Sequence, residues 1–163
     1  MKELTPELLK LLNGIHYATL ATLEPDGTVH LTTVWYIYYD NKIYIESSAS
    51  SRKYKNVIAN PSASVIVDTR QVSKENWVSA IGDASILTGK ESLAMNSRIR
   101  QRYLTEDAIN HPQIGPFFAP EDDATICITP KKWRAFNMEE MDNKYLDGVL
   151  GAQTERWFKK VDL

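Results

Sequence analysis

From Glu46 to Asn56 the chain reads E-S-S-A-S-S-R-K-Y-K-N, four serines running into Arg52, Lys53 and Lys55. Residue types in this order suit the binding of an anion such as phosphate. A helix opening at Ser51 would present backbone N–H groups that lack intrahelical partners, at the end of the helix that carries partial positive charge. Serine hydroxyls add donors, and a guanidinium can make two parallel bonds to phosphate oxygens. Cations in a first helical turn are disfavoured by the macrodipole by about 0.3–1 kcal/mol each, so three of them together point to an anion that offsets them. The plainer reading is a solvated basic loop with Ser51 as an ordinary helix cap. The residues alone leave both open.

The rest of the chain offers little further chemistry. Trp35, Tyr36, Tyr38, Tyr39 and Tyr44 crowd into one stretch just upstream. Such a stripe more often fills a core or a subunit interface than it lines a cofactor. His16, His30 and His111 are scattered with no ligand spacing, so the sequence gives no ground for a metal site. No hydrolase G-x-S-x-G, P-loop or G-x-G-x-x-G is present. The acids Glu24, Asp26, Asp122 and Asp123 fall in turns, and Glu139, Glu140 and Asp142 in the tail; all are expected at the solvated surface. Without an acid–base pair or an activated nucleophile, redox chemistry would have to come from a cofactor. The one cysteine, Cys127, lies in the apolar run A-T-I-C-I-T and reads as a buried structural thiol.

Several elements must position these groups. Thr5-Pro6-Glu7 starts a short amphipathic helix that Gly14 stops, with Leu4, Leu8, Leu11 and Leu12 on one face. Residues 17–23 alternate as a strand, and Glu24-Pro25-Asp26-Gly27 forms a turn. Residues 28–39 are β-branched and aromatic throughout and read as one long strand, which Asp40-Asn41 turns into a third at 42–46. Three strands so joined predict an antiparallel meander. A helix at 51–60 ends before Pro61. Residues 63–69 and 77–87 read as strands, with Gly82 marking a bulge. A helix at 90–105 carries an apolar stripe of Leu93, Ile99 and Tyr103. Residues 111–123 read as a long surface loop and 124–138 as a strand interrupted at Pro130. Residues 139–163 are ambiguous between a C-terminal arm and a docking helix. About six strands and three helices, with strand neighbours in sequence joined by short turns, predict a mainly β protein with peripheral helices, closed or nearly closed as an antiparallel barrel.

The 163 residues suit a single domain spanning 1–163. With 43% hydrophobic and 25% charged residues and a net charge of -2, the chain gives no electrostatic reason to expect nucleic acid or an anionic membrane. No apolar run is long enough to span a membrane, Met1-Lys2-Glu3 begins no secretory signal, and the lone cysteine suits a reducing compartment. A cytoplasmic protein is the expectation.

Taken together, Y-A-T-L-A-T-L-E-P-D-G-T-V-H, T-T-V-W-Y, S-S-R-K-Y-K-N, N-P and V-I-V-D resemble the pyridoxamine 5′-phosphate oxidase-like family. I-T-P-K-K-W-R-A-F resembles that family's last strand more loosely. The resemblance implies an FMN-binding split β-barrel, an obligate homodimer with the flavin at the subunit interface, and a small-molecule substrate. It would place His30, Thr32, Thr33, Val34 and Trp35 along the ring and ribityl chain, with Glu46 and Ser47 lining the same pocket. Ser51, Arg52 and Lys53 would hold the phosphate, and Trp77 and Trp133 would reach the flavin from the other subunit. Two departures stand out. His30 replaces an arginine of the vitamin B6 oxidases, and no histidine follows His111, so neither their C-terminal substrate motif nor the haem-binding arm of other relatives is present. An FMN-dependent oxidoreductase is the leading expectation. The alternatives are a non-catalytic flavin carrier or sensor, a deazaflavin-dependent reductase, and a structural dimer with an empty site.

Overall fold

The computed structural model describes residues 4–119 and 122–160. Its centre is one seven-stranded antiparallel sheet of order β2-β1-β5-β6-β7-β4-β3. The strands are β1 (Ala18–Leu23), β2 (Val29–Val34), β3 (Tyr36–Tyr39), β4 (Lys42–Ser48), β5 (Ser62–Asp68), β6 (Asn76–Leu87) and β7 (Asp123–Asn137). The sheet curls into a split barrel.

The expected meander is not what forms. The run 28–39 breaks at Trp35, and its halves, β2 and β3, lie on opposite edges of the sheet. β-Branched and aromatic composition gives both halves strand character but cannot register a bend between them. β2 pairs with β1 and β3 with β4, so two hairpins are present, joined at Trp35 across the barrel seam. Asp40 and Asn41 both adopt left-handed φ, at 50° and 57°, which matches the twist of a two-residue hairpin.

The inner face is filled by aliphatic side chains such as Leu20, Val65, Val78, Ile45 and Ile126. Helix α1 (Pro6–Asn13) closes one end with Leu11 and Leu12, and the buried Tyr36 hydroxyl donates to the Leu12 carbonyl at 2.9 Å. Cys127 is buried, as its apolar setting predicts. α2 (Arg52–Ala59) covers the β1 side, where Asn56 donates to the Thr22 hydroxyl at 3.1 Å.

At Gly82 the register of β6 against β7 shifts, so that Ile81 faces Lys132 while Gly82 faces Pro130, and β7 continues through the proline instead of stopping. The glycine is required by proximity: a Cβ there would lie 2.0 Å from the Thr129 carbonyl oxygen. Gly82→Ala is therefore expected to lower folding stability by about 1–3 kcal/mol, read as a shifted midpoint in urea unfolding. An unchanged midpoint would mean that the bulge is not as tight as described.

Helix α3 (Gly89–Tyr103) differs from its expected stripe. Leu93 is exposed, whereas Ser92, Asn96 and Ile99 are buried. The two polar residues are satisfied: Ser92 and Thr125 hydroxyls meet at 2.9 Å, Thr125 donates to Asn96 at 2.7 Å, and Asn96 donates to the Ala124 carbonyl at 3.1 Å. The loop expected at 111–123 contains a helix, α5 (Ile114–Phe117), preceded by α4 (Glu106–Asn110). The ambiguous tail forms α6 (Met138–Tyr145), α7 (Val149–Ala152) and α8 (Thr154–Trp157); residues 161–163 lie outside the described residues. Tyr145, Leu146, Val149 and Trp157 are exposed, and the buried Asp142 carboxylate accepts from the Leu150 and Gly151 N–H groups at 3.0 and 2.8 Å. That corrects the expectation of a solvated Asp142. Among the described residues no helix is long and apolar enough to cross a membrane.

Candidate functional site

The end of β4, the serine loop and the start of α2 form one connected corner. Ser51 caps α2, accepting from the Tyr54 N–H at 3.3 Å, and its hydroxyl lies 2.9 Å from that of Ser47. The loop is held from the start of the neighbouring strand β7: Asp122 accepts from the Ser50 N–H at 3.0 Å, and its carbonyl accepts from the Ala49 N–H at 2.9 Å. No acid stands in the first turn of α2 to offset its cations. The two cations point to different places. Arg52 is well exposed and its guanidinium reaches Glu24 on the β1–β2 turn at 3.4 Å. Lys53 turns inward beside Glu46, and burial lowers its ammonium pKa below the ordinary lysine value, opposed by the Glu46 charge.

Lys53 and Glu46 share a cavity of about 280 Å3 with Thr33, Val34 and Trp35 of the β2 end, walled by Tyr17 and Phe118. The aromatic wall is a stack. Trp35 lies nearly parallel to Tyr103 (centroids 5.0 Å apart, 5° between planes) and also stacks on Phe118 at 5.2 Å, while Tyr17 stacks on Tyr103 at 6.1 Å. Tyr103 is fixed in turn, donating to the His16 carbonyl at 2.7 Å.

Behind Glu46 lies an ion cluster that the sequence reading passed over. Arg100 of α3 donates through Nε to Glu46 at 2.6 Å and through a terminal nitrogen to both Asp123 oxygens at 2.6 and 2.7 Å. Side chains of Arg100, Glu46 and Asp123 are only 12%, 17% and 3% exposed. Asp123 is thus buried and paired, contrary to the expectation of a solvated turn acid. Burial raises the Glu46 pKa above the ordinary carboxyl value despite the nearby Arg100 and Lys53 cations. Two cations, Arg100 and Lys53, balance two carboxylates, and Arg100 fixes where the Glu46 carboxylate points. The pattern Ser92, Asn96, Ile99, Arg100, Tyr103 is a helical face, so spacing carried a signal for Arg100. Polar composition hid it.

The remaining expected residues sit farther out. His30 pairs with Thr22 across the β1–β2 hairpin, so its side chain shares the face that α2 covers; its Nδ1 is buried with no partner. Thr32 lies on the same face, two residues along. Trp77 and Trp133 do not join the cavity. They line a second cleft of about 990 Å3 between α1 and the β7–α6 junction. Tyr17, Phe118 and Arg100 are site residues that the sequence did not single out, and Asp123 is one that it placed at the solvated surface. Phe118 lay in a segment read as loop, where spacing carries no periodic signal.

A family model described as pyridoxamine 5′-phosphate oxidase matches residues 4–137. Among solved structures, the chain is similar to a conserved hypothetical protein of Mycobacterium tuberculosis, at 26% identity and a TM-score of 0.70, over 86% of this chain and 88% of that one. An F420 reductase is similar at 24% identity and a TM-score of 0.58, over 77% of this chain and 94% of the other. The heme storage protein HutZ of Vibrio cholerae shares the fold at 15% identity and a TM-score of 0.63, with coverage of 83% and 94%. Among curated proteins no match is found.

Proposed function

The chain belongs to the pyridoxamine 5′-phosphate oxidase family, and from that premise we propose that it is an FMN-binding oxidoreductase acting as a homodimer on a small molecule. One observation carries the reading: the serine-capped start of α2, with no acid in its first turn, opens beside a cavity that gathers Lys53, Glu46 and the aromatic wall of Trp35. Phosphate suits the first part and a planar ring the second. The unpartnered Nδ1 of His30, on the face covered by α2, fits a polar group of the same ligand.

In this reading Ser51 and Lys53 hold the phosphate, with Arg52 available once released from Glu24. Thr33, Val34 and Trp35 orient the ring, and Thr32 and His30 follow the chain between ring and phosphate. Arg100, through Glu46, keeps a carboxylate at the cavity wall. Bound flavin supplies hydride chemistry, so the protein needs to bind, orient and exclude water, and no side chain is assigned as acid or base.

A second copy of the chain is part of the proposal. A cavity of about 280 Å3 lies near the lower limit for ligand pockets, roughly 300–1,000 Å3. Val29, Leu31 and Tyr17 beside it are 55%, 64% and 62% exposed, an apolar edge that a partner would cover. Trp77 and Trp133, remote from the cavity of their own chain, would then belong to the partner's half of the site. The likeness to an F420 reductase favours one alternative cofactor, a deazaflavin.

The deciding measurement is the absorption spectrum of the purified protein, with mass spectrometry of what denaturation releases and sedimentation of the same sample. Flavin bands, released FMN and a two-chain species are expected, and bleaching of the bands in stopped flow by reduced nicotinamide or a candidate substrate, with their return on adding an acceptor, would establish turnover. A released deazaflavin selects the alternative; bands that no donor bleaches select a carrier. A colourless monomer that takes up neither compound overturns the proposal.

A further inference from the structure

A separate cleft of about 730 Å3 opens between the β5–β6 turn and the end of α8. None of its lining residues is among those assigned to the flavin. Val72 and Phe158, both half-buried, supply its apolar surface. Among the described residues its charged lining is Arg70, Lys159 and Lys160 against Glu155. In a chain whose net charge is -2, this is a local reversal of sign. The two walls come from segments far apart in sequence and are tied together, the hydroxyls of Ser73 and Thr154 meeting at 3.0 Å with Ser73 buried. Arg70 and Ser73 hold φ of 48° and 62°, a region that L side chains disfavour. The Thr69 hydroxyl closes the base of this turn, donating to the Lys74 carbonyl at 3.1 Å and accepting from the Asn76 N–H at 3.2 Å. Arg70 is itself held: its Nε donates to the Asp68 oxygens at 3.0 and 3.3 Å, and among the described residues its two terminal nitrogens make no hydrogen bond.

We propose that this cleft binds a small apolar carboxylate, such as an aryl acid, with its body against Val72 and Phe158 and its carboxylate on Arg70. Two terminal guanidinium nitrogens match two carboxylate oxygens side by side. Because Asp68 already holds Nε, less freedom of the Arg70 side chain is lost when the ligand arrives. Lys159 and Lys160 add attraction at longer range and oppose cationic ligands. A neutral ring would leave the cations unused, and a bare inorganic anion would leave Val72 and Phe158 unused. The volume suits such a ligand, since small-molecule sites run to roughly 300–1,000 Å3. The inference stands whether or not the protein takes up FMN.

Isothermal titration of the purified protein with 1-naphthoate tests it, beside the neutral naphthalene-1-methanol and the cationic 1-naphthylmethylammonium. Saturable binding of the carboxylate is expected, at least about tenfold tighter than that of either comparator. Arg70→Gln should bind it about tenfold more weakly. That substitution keeps an extended polar side chain at an exposed position, so the fold should hold, with an unfolding midpoint close to that of wild type. Lys53→Ala, in the other cavity, should leave naphthoate binding as it was, which separates this cleft from the anion-binding corner of α2. No saturable binding to millimolar concentration, equal affinity for the alcohol, an affinity that Arg70→Gln leaves unchanged, or a loss caused by Lys53→Ala would each overturn the proposal.

Discussion

Replacing Arg100 by alanine is expected to lower folding stability by about 3–5 kcal/mol, the range for breaking a buried ion cluster by removing one member. The guanidinium is 12% exposed and stands between carboxylates that are 17% and 3% exposed. Without it, Lys53 alone is left to balance Glu46 and Asp123, two carboxylates in a poorly solvated place. The surface pair of Lys131 and Asp83, at 66% and 62% exposure, supplies the contrast, because such pairs contribute about 0–1 kcal/mol. Denaturant unfolding of Arg100→Ala beside Lys131→Ala therefore separates a cluster that organises the barrel wall from an incidental contact. Acidification gives a second signature. Removing Arg100 takes away the main influence that lowers the Glu46 pKa, leaving burial and Asp123 to raise it. A carboxyl whose folded pKa lies above its unfolded value binds more protons when folded, so stability falls as pH rises through that range. The deficit of Arg100→Ala should accordingly shrink in mild acid. A loss below about 1 kcal/mol at neutral pH would show that Arg100 is not the tie between α3, β4 and β7.

What could be read in the sequence, and what could not, divides by the range of the interaction. The caps at Thr5 and Ser51, the turn at Asp40-Asn41 and the bulge at Gly82 are local, and each takes its shape from its own residue types. Strand alternation was legible for the same reason. The break at Trp35 was not, since Val34 and Tyr36 both favour extended backbone and only the distant partners, β1 for one half and β4 for the other, set them on opposite edges. Asp123 and Asp142 looked solvated because acids in turns usually are; their partners lie 23 residues away at Arg100 and 8 and 9 residues away at Leu150 and Gly151. At the candidate site, the anion-binding corner is local chemistry and could be argued from serines and cations. The aromatic wall depends on Tyr17, Tyr103 and Phe118 arriving from three separate segments, which no spacing rule brings together.

The same geometry separates two cations that the sequence could only treat alike. Lys53→Ala is expected to weaken FMN binding by roughly 10- to 150-fold, the equivalent of about 1.5–3 kcal/mol for a charge-assisted hydrogen bond. Arg52→Ala should weaken it by no more than a few-fold, because its guanidinium is 59% exposed and already engaged by Glu24 at 3.4 Å. Fluorescence titration of apoprotein with FMN measures both, and riboflavin provides the control. Without a phosphate, riboflavin should bind wild type and Lys53→Ala with similar affinity, so that the difference isolates the phosphate contact. Burial has lowered the Lys53 pKa, and the ammonium therefore loses its proton at a lower pH than a solvated lysine. FMN affinity should fall as pH rises through that value, whereas riboflavin affinity should not follow it. Equal losses for the two single variants would return the phosphate to the outer face of α2 beside Arg52. A Lys53→Ala variant that binds FMN as tightly as wild type would show that Lys53 does not hold the phosphate.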